Sequence, residues 1–222
     1  MSSTSPLDYC STADVAAYIP QYASSPSTTL GTLMALLITR VSRQIDGITK
    51  RYFYTSTGNE TIYFDGNGKY RFTPSQDIVS ITTLALAIDT VKATSGTYTT
   101  ISTGDYYLRP SQLEPGWPYQ WLELSNAPSG NYSTSNAFTA FPEGYNTVKI
   151  VGKFGWPTTT ISGIPDEIRH AATELTVRAW RGRDMSFNDV VGVEGLNAAT
   201  FSRRIPSDIQ EILDGYTRQV NR

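Results

Sequence analysis

The residues with the strongest potential for chemistry are one cysteine and one histidine in a chain of 222 residues. Cys10 has no second cysteine with which to form an intrachain disulfide, and a zinc site assembled from several Cys and His ligands is excluded. His170 lies on a predicted helix beside Arg169 and Glu174, which is typical of a helix-surface or interface histidine rather than of a general base. We therefore predict no catalytic residue, no metal ligand and no cofactor.

Two further patterns could bind a ligand. The segment from Asp65 to Lys69, Asp-Gly-Asn-Gly-Lys, superficially resembles phosphate-binding and calcium-binding loops. It lacks the Ser or Thr of a P-loop and the glutamate of an EF-hand, so we interpret it as a turn between strands. Aromatic residues could stack on bases or sugars, although such residues more often fill a β core or an interdomain seam. These residues are Tyr52, Phe53, Tyr54, Trp117, Tyr119, Trp121 and Trp156.

The charge balance argues against a protein that holds nucleic acid tightly. Eighteen Lys and Arg residues against twenty Asp and Glu residues give a formal net charge of −2. Such a chain has no overall basic field with which to bind a polyanion by counterion release. The first ten residues lack the basic and apolar regions of a secretion signal, and no apolar stretch is long enough to span a bilayer. We expect synthesis in the cytoplasm and no membrane partner.

Helical patterns occur near both ends of the chain. Residues 11–14 predict a capping box at the start of a short helix. Apolar residues at three- and four-residue spacing predict a long amphipathic helix from Leu30 to about Ile48, with Arg43 and Asp46 on its polar face. Further helices are predicted from Pro165 to about Trp180 and from Pro206 onward, because both prolines are followed by acidic residues that suit a helix N-terminus.

Between these helices the hydrophobic period changes to two, which predicts β-strands. Residues 61–65 and 69–73 are predicted to form a hairpin, because the intervening Gly66, Asn67 and Gly68 tolerate the positive φ of a tight turn. Residues 127–141, rich in Ser, Asn and Ala, are predicted to form an exposed loop. Further strands are predicted at residues 78–88, 97–101, 105–109, 119–124 and 147–154.

The order of these elements predicts an α+β protein. Helices flank a β-rich middle on both sides, which indicates a helical bundle domain interrupted by an insertion. We expect residues 1–55 and 158–222 to form the helical domain and residues 56–157 to form an inserted antiparallel β-rich domain.

Residues 181–205 form a long connection between the last two predicted helices. A connection of this length inside a compact domain is usually functional or disordered, and its apolar content argues against simple disorder. We interpret it as an arm that buries apolar side chains against a neighbouring subunit. Arginines flank the arm, and pairing of these arginines with carboxylates of another subunit is favoured over a phosphate site.

Several motifs stand in a recognisable order along nearly the whole chain. They are Tyr-Cys-Ser-Thr-Ala-Asp-Val at residues 9–15, the helix through residues 45–51 that leads into aromatic residues 52–54, the β insertion, Ile-Pro-Asp-Glu-Ile at residues 164–168, the glycine-rich residues 191–195, and the segment 205–216. Together they resemble head-to-tail connector (adaptor, or head-completion) proteins of siphophage-type tailed phages.

The resemblance implies a structural protein of the virion neck and not an enzyme. The family forms rings, commonly of twelve subunits, beneath the portal protein, and these rings continue the DNA channel toward the next neck or tail-completion protein. Double-stranded DNA would pass through the lumen without sequence-specific binding. A closed ring needs two different complementary surfaces on each subunit, and the long helix and the arm are the candidates. The candidate subunit and portal contacts are Val190, Val191, Val193, Leu196, Phe201, Arg203 and Arg204 in the arm, and Ile209, Leu213 and Tyr216 on the last helix.

Alternatives remain at this point. Another virion component, such as a tail-completion or capsid-decorating protein, would share the β-rich surface and the lack of catalytic residues. A glycan- or receptor-binding module would use Trp117, Tyr119 and Trp121 as a platform. An enzyme would need a carboxylate pair, since His170 has no suitable partners.

Overall fold

The computed structural model describes residues 7–19, 28–87, 98–111, 116–125, 138–183 and 205–218. Within these ranges the helices are α1 (Thr12–Ala16), α2 (Thr28–Thr49), α3 (Asp166–Arg183) and α4 (Ser207–Tyr216), with a 3-10 turn at Ile161–Gly163. The strands are β1 (Glu60–Gly66), β2 (Arg71–Phe72), β3 (Ile78–Ala87), β4 (Tyr98–Ile101), β5 (Tyr106–Arg109), β6 (Trp121–Leu124) and β7 (Gly144–Phe154). The chain is an α+β protein, as predicted, and no helix in the described ranges is long and apolar enough to cross a membrane.

The four helices belong to one compact unit, which contains the described parts of residues 6–51 and 160–219. The predicted capping box is present in α1, where the Ser11 hydroxyl accepts from the Asp14 amide and the Asp14 carboxylate accepts from the Ser11 amide. Helix α3 is the most enclosed, because apolar side chains from the other helices pack around it. The core of this unit includes Val15, Met34, Ile38, Ile45, Ile168, Ala172, Leu175, Ile209 and Leu213.

The described parts of residues 52–159 form the second unit, which contains two antiparallel sheets. Strands pair in the order β1-β7-β3-β4 in the larger sheet and β2-β6-β5 in the smaller one. Alternate residues of both sheets point into one shared apolar core, as period-two patterning requires. This core includes Phe72, Ile78, Leu84, Leu86, Leu122, Phe141, Val148, Ile150 and Phe154.

The predicted hairpin of residues 61–73 is wrong, because its two strands enter different sheets. Strand β1 pairs with β7, whereas β2 pairs with β6. The residues between them bond elsewhere: the Gly68 amide donates to the Phe141 carbonyl at 2.9 Å, and the Phe141 amide donates to the Lys69 carbonyl at 2.8 Å. Contacts with a distant segment, which local turn chemistry does not reveal, thus direct the chain from one sheet to the other.

The predicted exposed loop of residues 127–141 is wrong at its end. Residues 126–137 lie outside the described ranges, but Phe141 is fully buried in the β core.

Gly152 marks a close approach of two backbones in the larger sheet. A Cβ at this position would overlap the Ser80 carbonyl oxygen on the neighbouring strand β3. We expect Gly152→Ala to lower the free energy of unfolding by about 1–3 kcal/mol, since the two strands must separate. Gly58→Ala is the matched control, because nothing lies within 4 Å of a Cβ there. Urea denaturation of both variants tests this, and equal midpoints would contradict the close approach.

Candidate functional surfaces

Most of the predicted arm lies outside the described residues. This applies to Val190, Val191, Val193, Leu196, Phe201, Arg203 and Arg204, which fall in the range 184–204. Their proposed role in subunit contact therefore stays a prediction.

The last helix, α4, places two of its three predicted interface residues in the core of its own chain, whereas Tyr216 is only partly buried. Ile209 and Leu213 are fully buried, and Tyr216 donates its hydroxyl to Glu167 Oε2 at 3.1 Å. The side of α4 that faces solvent instead carries Asp208, Glu211 and Asp214. These three carboxylates are not among the predicted contact residues, although their three-residue spacing along the sequence indicates an acidic stripe.

The long helix α2 also has an outward face. Its buried side carries Met34, Ile38 and Ile45, whereas Leu36 is 63% exposed. Arg40 and Gln44 follow Leu36 at four-residue spacing and are likewise exposed. An apolar side chain and a cation thus lie along one side of this helix.

The segment preceding α1 is fastened to α2 by a buried polar cluster. The Tyr9 amide donates to Ser42 Oγ at 2.9 Å, and the Tyr9 hydroxyl donates to Asp46 Oδ1. Arg43 Nη2 donates to the Leu7 carbonyl at 2.6 Å, and its guanidinium lies 5.3 Å from the centre of the Tyr9 ring. The predicted polar face of α2 is therefore partly covered by the N-terminal segment, and Asp46 on that face is buried.

Asp46 is ionised less readily than an ordinary aspartate. Burial raises the pKa of its carboxyl group to about 6, although the Tyr9 hydrogen bond and the Arg43 charge act in the opposite direction. Arg43 Nη1 lies 3.2 Å from Asp46 Oδ2, which accepts no hydrogen bond from the described residues. The carboxyl group is thus a titratable element at the junction of the N-terminal segment and α2.

The surroundings of Cys10 and His170, the two residues with the most reactive side chains, do not activate either side chain. Cys10 is buried, and burial raises the pKa of its thiol to about 11, so the thiol is protonated at neutral pH. His170 is half exposed, with Nε2 3.7 Å from Glu174 Oε2 one helical turn away. Within the described ranges no group of three His, Cys, Asp or Glu residues is arranged to hold a metal ion.

The three aromatic residues considered as a glycan platform each pack on a different partner. Trp117 packs on Trp156, with ring centroids 5.2 Å apart. Tyr119 packs against the β core, whereas the Arg71 guanidinium lies 4.0 Å from the centre of the Trp121 ring. Trp117 and Tyr119 thus contribute mainly to packing.

Trp121 belongs to a polar network on the outer face of the smaller sheet. Its indole nitrogen donates to Glu123 Oε1 at 3.1 Å, and Arg109 Nε donates to Glu123 Oε2 at 3.0 Å. Arg71 approaches the same carboxylate at 4.0 Å. These groups use their hydrogen-bonding capacity on one another, which is consistent with a rigid surface rather than an open binding site.

Neither a protein-family model nor a curated protein sequence matches this chain. Among solved structures, it is similar to a chain in "Neck of empty GTA particle computed with C6 symmetry", with a TM-score of 0.50, 14% identity and coverage of 98% of both chains. It is also similar to a chain in "Neck of native GTA particle computed with C12 symmetry" (TM-score 0.47, 12% identity, 98% of both chains). A third match is in "Virion of native gene transfer agent (GTA) particle" (TM-score 0.45, 14% identity, 84% of this chain and 79% of that one). The first of these likenesses shows that the chain shares the fold of a chain from the neck of a GTA particle.

Proposed function

We propose that this chain is a structural subunit of the neck of a tailed-phage particle, where it forms a ring as a head-to-tail connector. The observation that carries the proposal is the shared fold over 98% of both chains with a chain of a six-fold symmetric particle neck. The order of sequence motifs, which resembles connector proteins, points independently in the same direction. The division into a helical domain and an inserted β-rich domain is part of this proposal.

The ring and its partners follow from the same resemblance. A six-fold symmetric neck can contain rings whose copy number is a multiple of six, including the twelve copies that we propose. The portal protein would lie on one side of the ring and the next neck or tail-completion protein on the other. The arm, residues 181–205, and α4 are the proposed contact elements.

The charge of the chain suits a channel through which DNA moves. Proteins that neutralise many phosphates bind DNA strongly, and such binding would slow passage of the duplex. A net charge of −2 gives the subunit no general attraction for DNA. We therefore propose that double-stranded DNA crosses the lumen without sequence-specific contact, and that the subunit needs no cofactor and catalyses no reaction.

The decisive experiment is to locate the chain in purified particles. Electron cryomicroscopy of particles that carry a tagged copy is expected to show extra density as a ring between head and tail. Density on the capsid surface would instead support a decorating protein, and density at the tail tip would support a receptor-binding module. Either of these positions would overturn the connector proposal.

The arm provides a second test. Replacing residues 190–201 with Gly and Ser is expected to leave a folded chain that fails to enter particles, because the apolar contacts with the neighbouring subunit are lost. Circular dichroism would monitor folding, and mass spectrometry of purified particles would measure incorporation.

The matched control replaces another segment of the same length, residues 126–137, with Gly and Ser. This control variant is expected to enter particles normally. Normal incorporation of the 190–201 variant would refute the role of the arm.

A further inference from the structure

The outward face of α2 has the character of a contact surface. Leu36 is 63% exposed, and its neighbours Leu33 and Leu37 are only partly buried. A single exposed leucine is common on protein surfaces, but three neighbouring leucines that remain accessible to solvent form a patch.

This face also carries a cation. Arg40 lies one helical turn beyond Leu36 and pairs with no carboxylate among the described residues. Arg40 is the cation available on this face, because Arg43 is paired with Asp46 and Arg51 is buried. A partner that docks on this face is therefore expected to be acidic with an apolar edge.

Helix α4 carries a surface of that description. Asp208, Glu211 and Asp214 recur at three-residue spacing on its solvent side, and the partly buried Ile212 lies beside them. Asp214 accepts a hydrogen bond from Gln210 at 2.7 Å, whereas Asp208 and Glu211 form no ion pair within the described part of the chain. Like charges at this spacing repel one another, so a cation between them would be stabilising.

We propose that α2 of one copy docks on α4 of the next copy in the ring. Leu36 packs beside Ile212 of the neighbour, and Arg40 lies against the stripe of Asp208, Glu211 and Asp214. The acidic stripe extends over about 9 Å and the α2 face from Leu36 to Gln44 over about 12 Å, so the two surfaces are of similar length. A heterologous ring contact requires two different surfaces on each copy, and the α2 face and the α4 stripe are two such surfaces.

This contact rests on the proposed ring, and a charge swap tests it. In Arg40→Glu a carboxylate faces the acidic stripe, so the concentration needed for half-maximal assembly is expected to rise by at least about tenfold. Combining Arg40→Glu with Glu211→Arg in the same chain restores opposite charges and is expected to recover most of the assembly. Native mass spectrometry of the full chain at low salt measures the distribution of oligomers.

The control is Lys69→Glu, which changes the net charge equally at an exposed position of the β-rich unit. This variant is expected to assemble like the wild type, and circular dichroism would confirm that all variants fold. If the wild type forms a ring and the Arg40→Glu variant forms it equally well, the contact is overturned but the proposed function is not. Failure of the double variant to recover assembly would also overturn the contact. A wild-type chain that stays monomeric at all concentrations, and that is absent from particle necks, would overturn both.

Discussion

Replacing Phe141 with alanine is expected to lower the free energy of unfolding by about 3–5 kcal/mol. The Phe141 side chain is fully buried in the core shared by the two sheets, and its ring centroid lies 5.2 Å from that of Phe72. Backbone hydrogen bonds with Gly68 and Lys69 fix its position. The sheets cannot easily close the space left by the ring, so the variant loses both the burial of the ring and its packing contacts.

Urea denaturation followed by far-ultraviolet circular dichroism would measure this loss. Tyr145→Ala is the matched control, because Tyr145 is an aromatic residue from the same region but is 68% exposed. The control is expected to change stability by no more than about 0.5 kcal/mol. If Phe141→Ala does not fold, Phe141→Leu should still show a smaller loss, of about 1–2 kcal/mol. Equal stability of the Phe141 variants and the control would contradict the burial of Phe141.

This experiment also separates what local sequence can predict from what it cannot. Alternating apolar residues predicted β3, β4, β5 and β7 close to their observed positions, because each strand carries the period-two pattern itself. Phe141 follows a polar stretch and has no such pattern around it. Its burial depends on a distant segment, residues 68–69, and local pattern analysis does not detect a contact of this kind.

In the helical unit, too, local signals predicted the elements, whereas a contact between distant residues was not predicted. Helix α2 was predicted from its spacing of apolar residues, and the N-terminus of α1 from its capping box, since both signals are local. The pairing of Tyr9 with Asp46 joins residues 37 positions apart. On a helical projection Asp46 lies on the polar side, where solvent is the default expectation. Only the tertiary structure shows that the N-terminal segment covers it.

The acidic stripe on α4 and the exposed Leu36 on α2 were missed for a different reason. Apolar residues on the last helix were expected to contact another subunit, but Ile209 and Leu213 are needed by the core of their own chain. A sequence pattern identifies which side of a helix is apolar, and the same pattern serves burial within one chain or between two. The residues left on the surface, rather than the most apolar ones, therefore indicate where a neighbour can dock.

Asp46 is expected to make stability depend on pH between about pH 4 and pH 6. Burial raises the pKa of its carboxyl group from 3.8 to about 6, so in this range the folded chain binds more protons at this site than the unfolded chain. The contribution of Asp46 is therefore most favourable below pH 4 and is lost as the pH rises through 6. A difference of about two pKa units corresponds to at most about 3 kcal/mol.

The Asp46→Asn variant isolates this contribution, because asparagine stays neutral and can still accept the Tyr9 hydrogen bond. Other carboxylates, such as Asp14, whose hydrogen bonds with Ser11 lower its pKa, titrate in both proteins and cancel in the comparison. Urea midpoints measured from pH 4 to pH 7 should show wild-type stability falling relative to Asp46→Asn as the pH rises. A constant difference would show that the Asp46 pKa is the same in the folded and unfolded chain.

Tyr9→Phe supplies a second, directional check of the same cluster. The Tyr9 hydroxyl donates to the Asp46 carboxylate and so favours the ionised form. Its removal should raise the Asp46 pKa further, and the loss of stability should then extend to a higher pH than in the wild type. A shift of the transition to lower pH would mean that the hydroxyl does not stabilise the carboxylate, and that the N-terminal segment is held on α2 by the remaining contacts of Ser42 and Arg43.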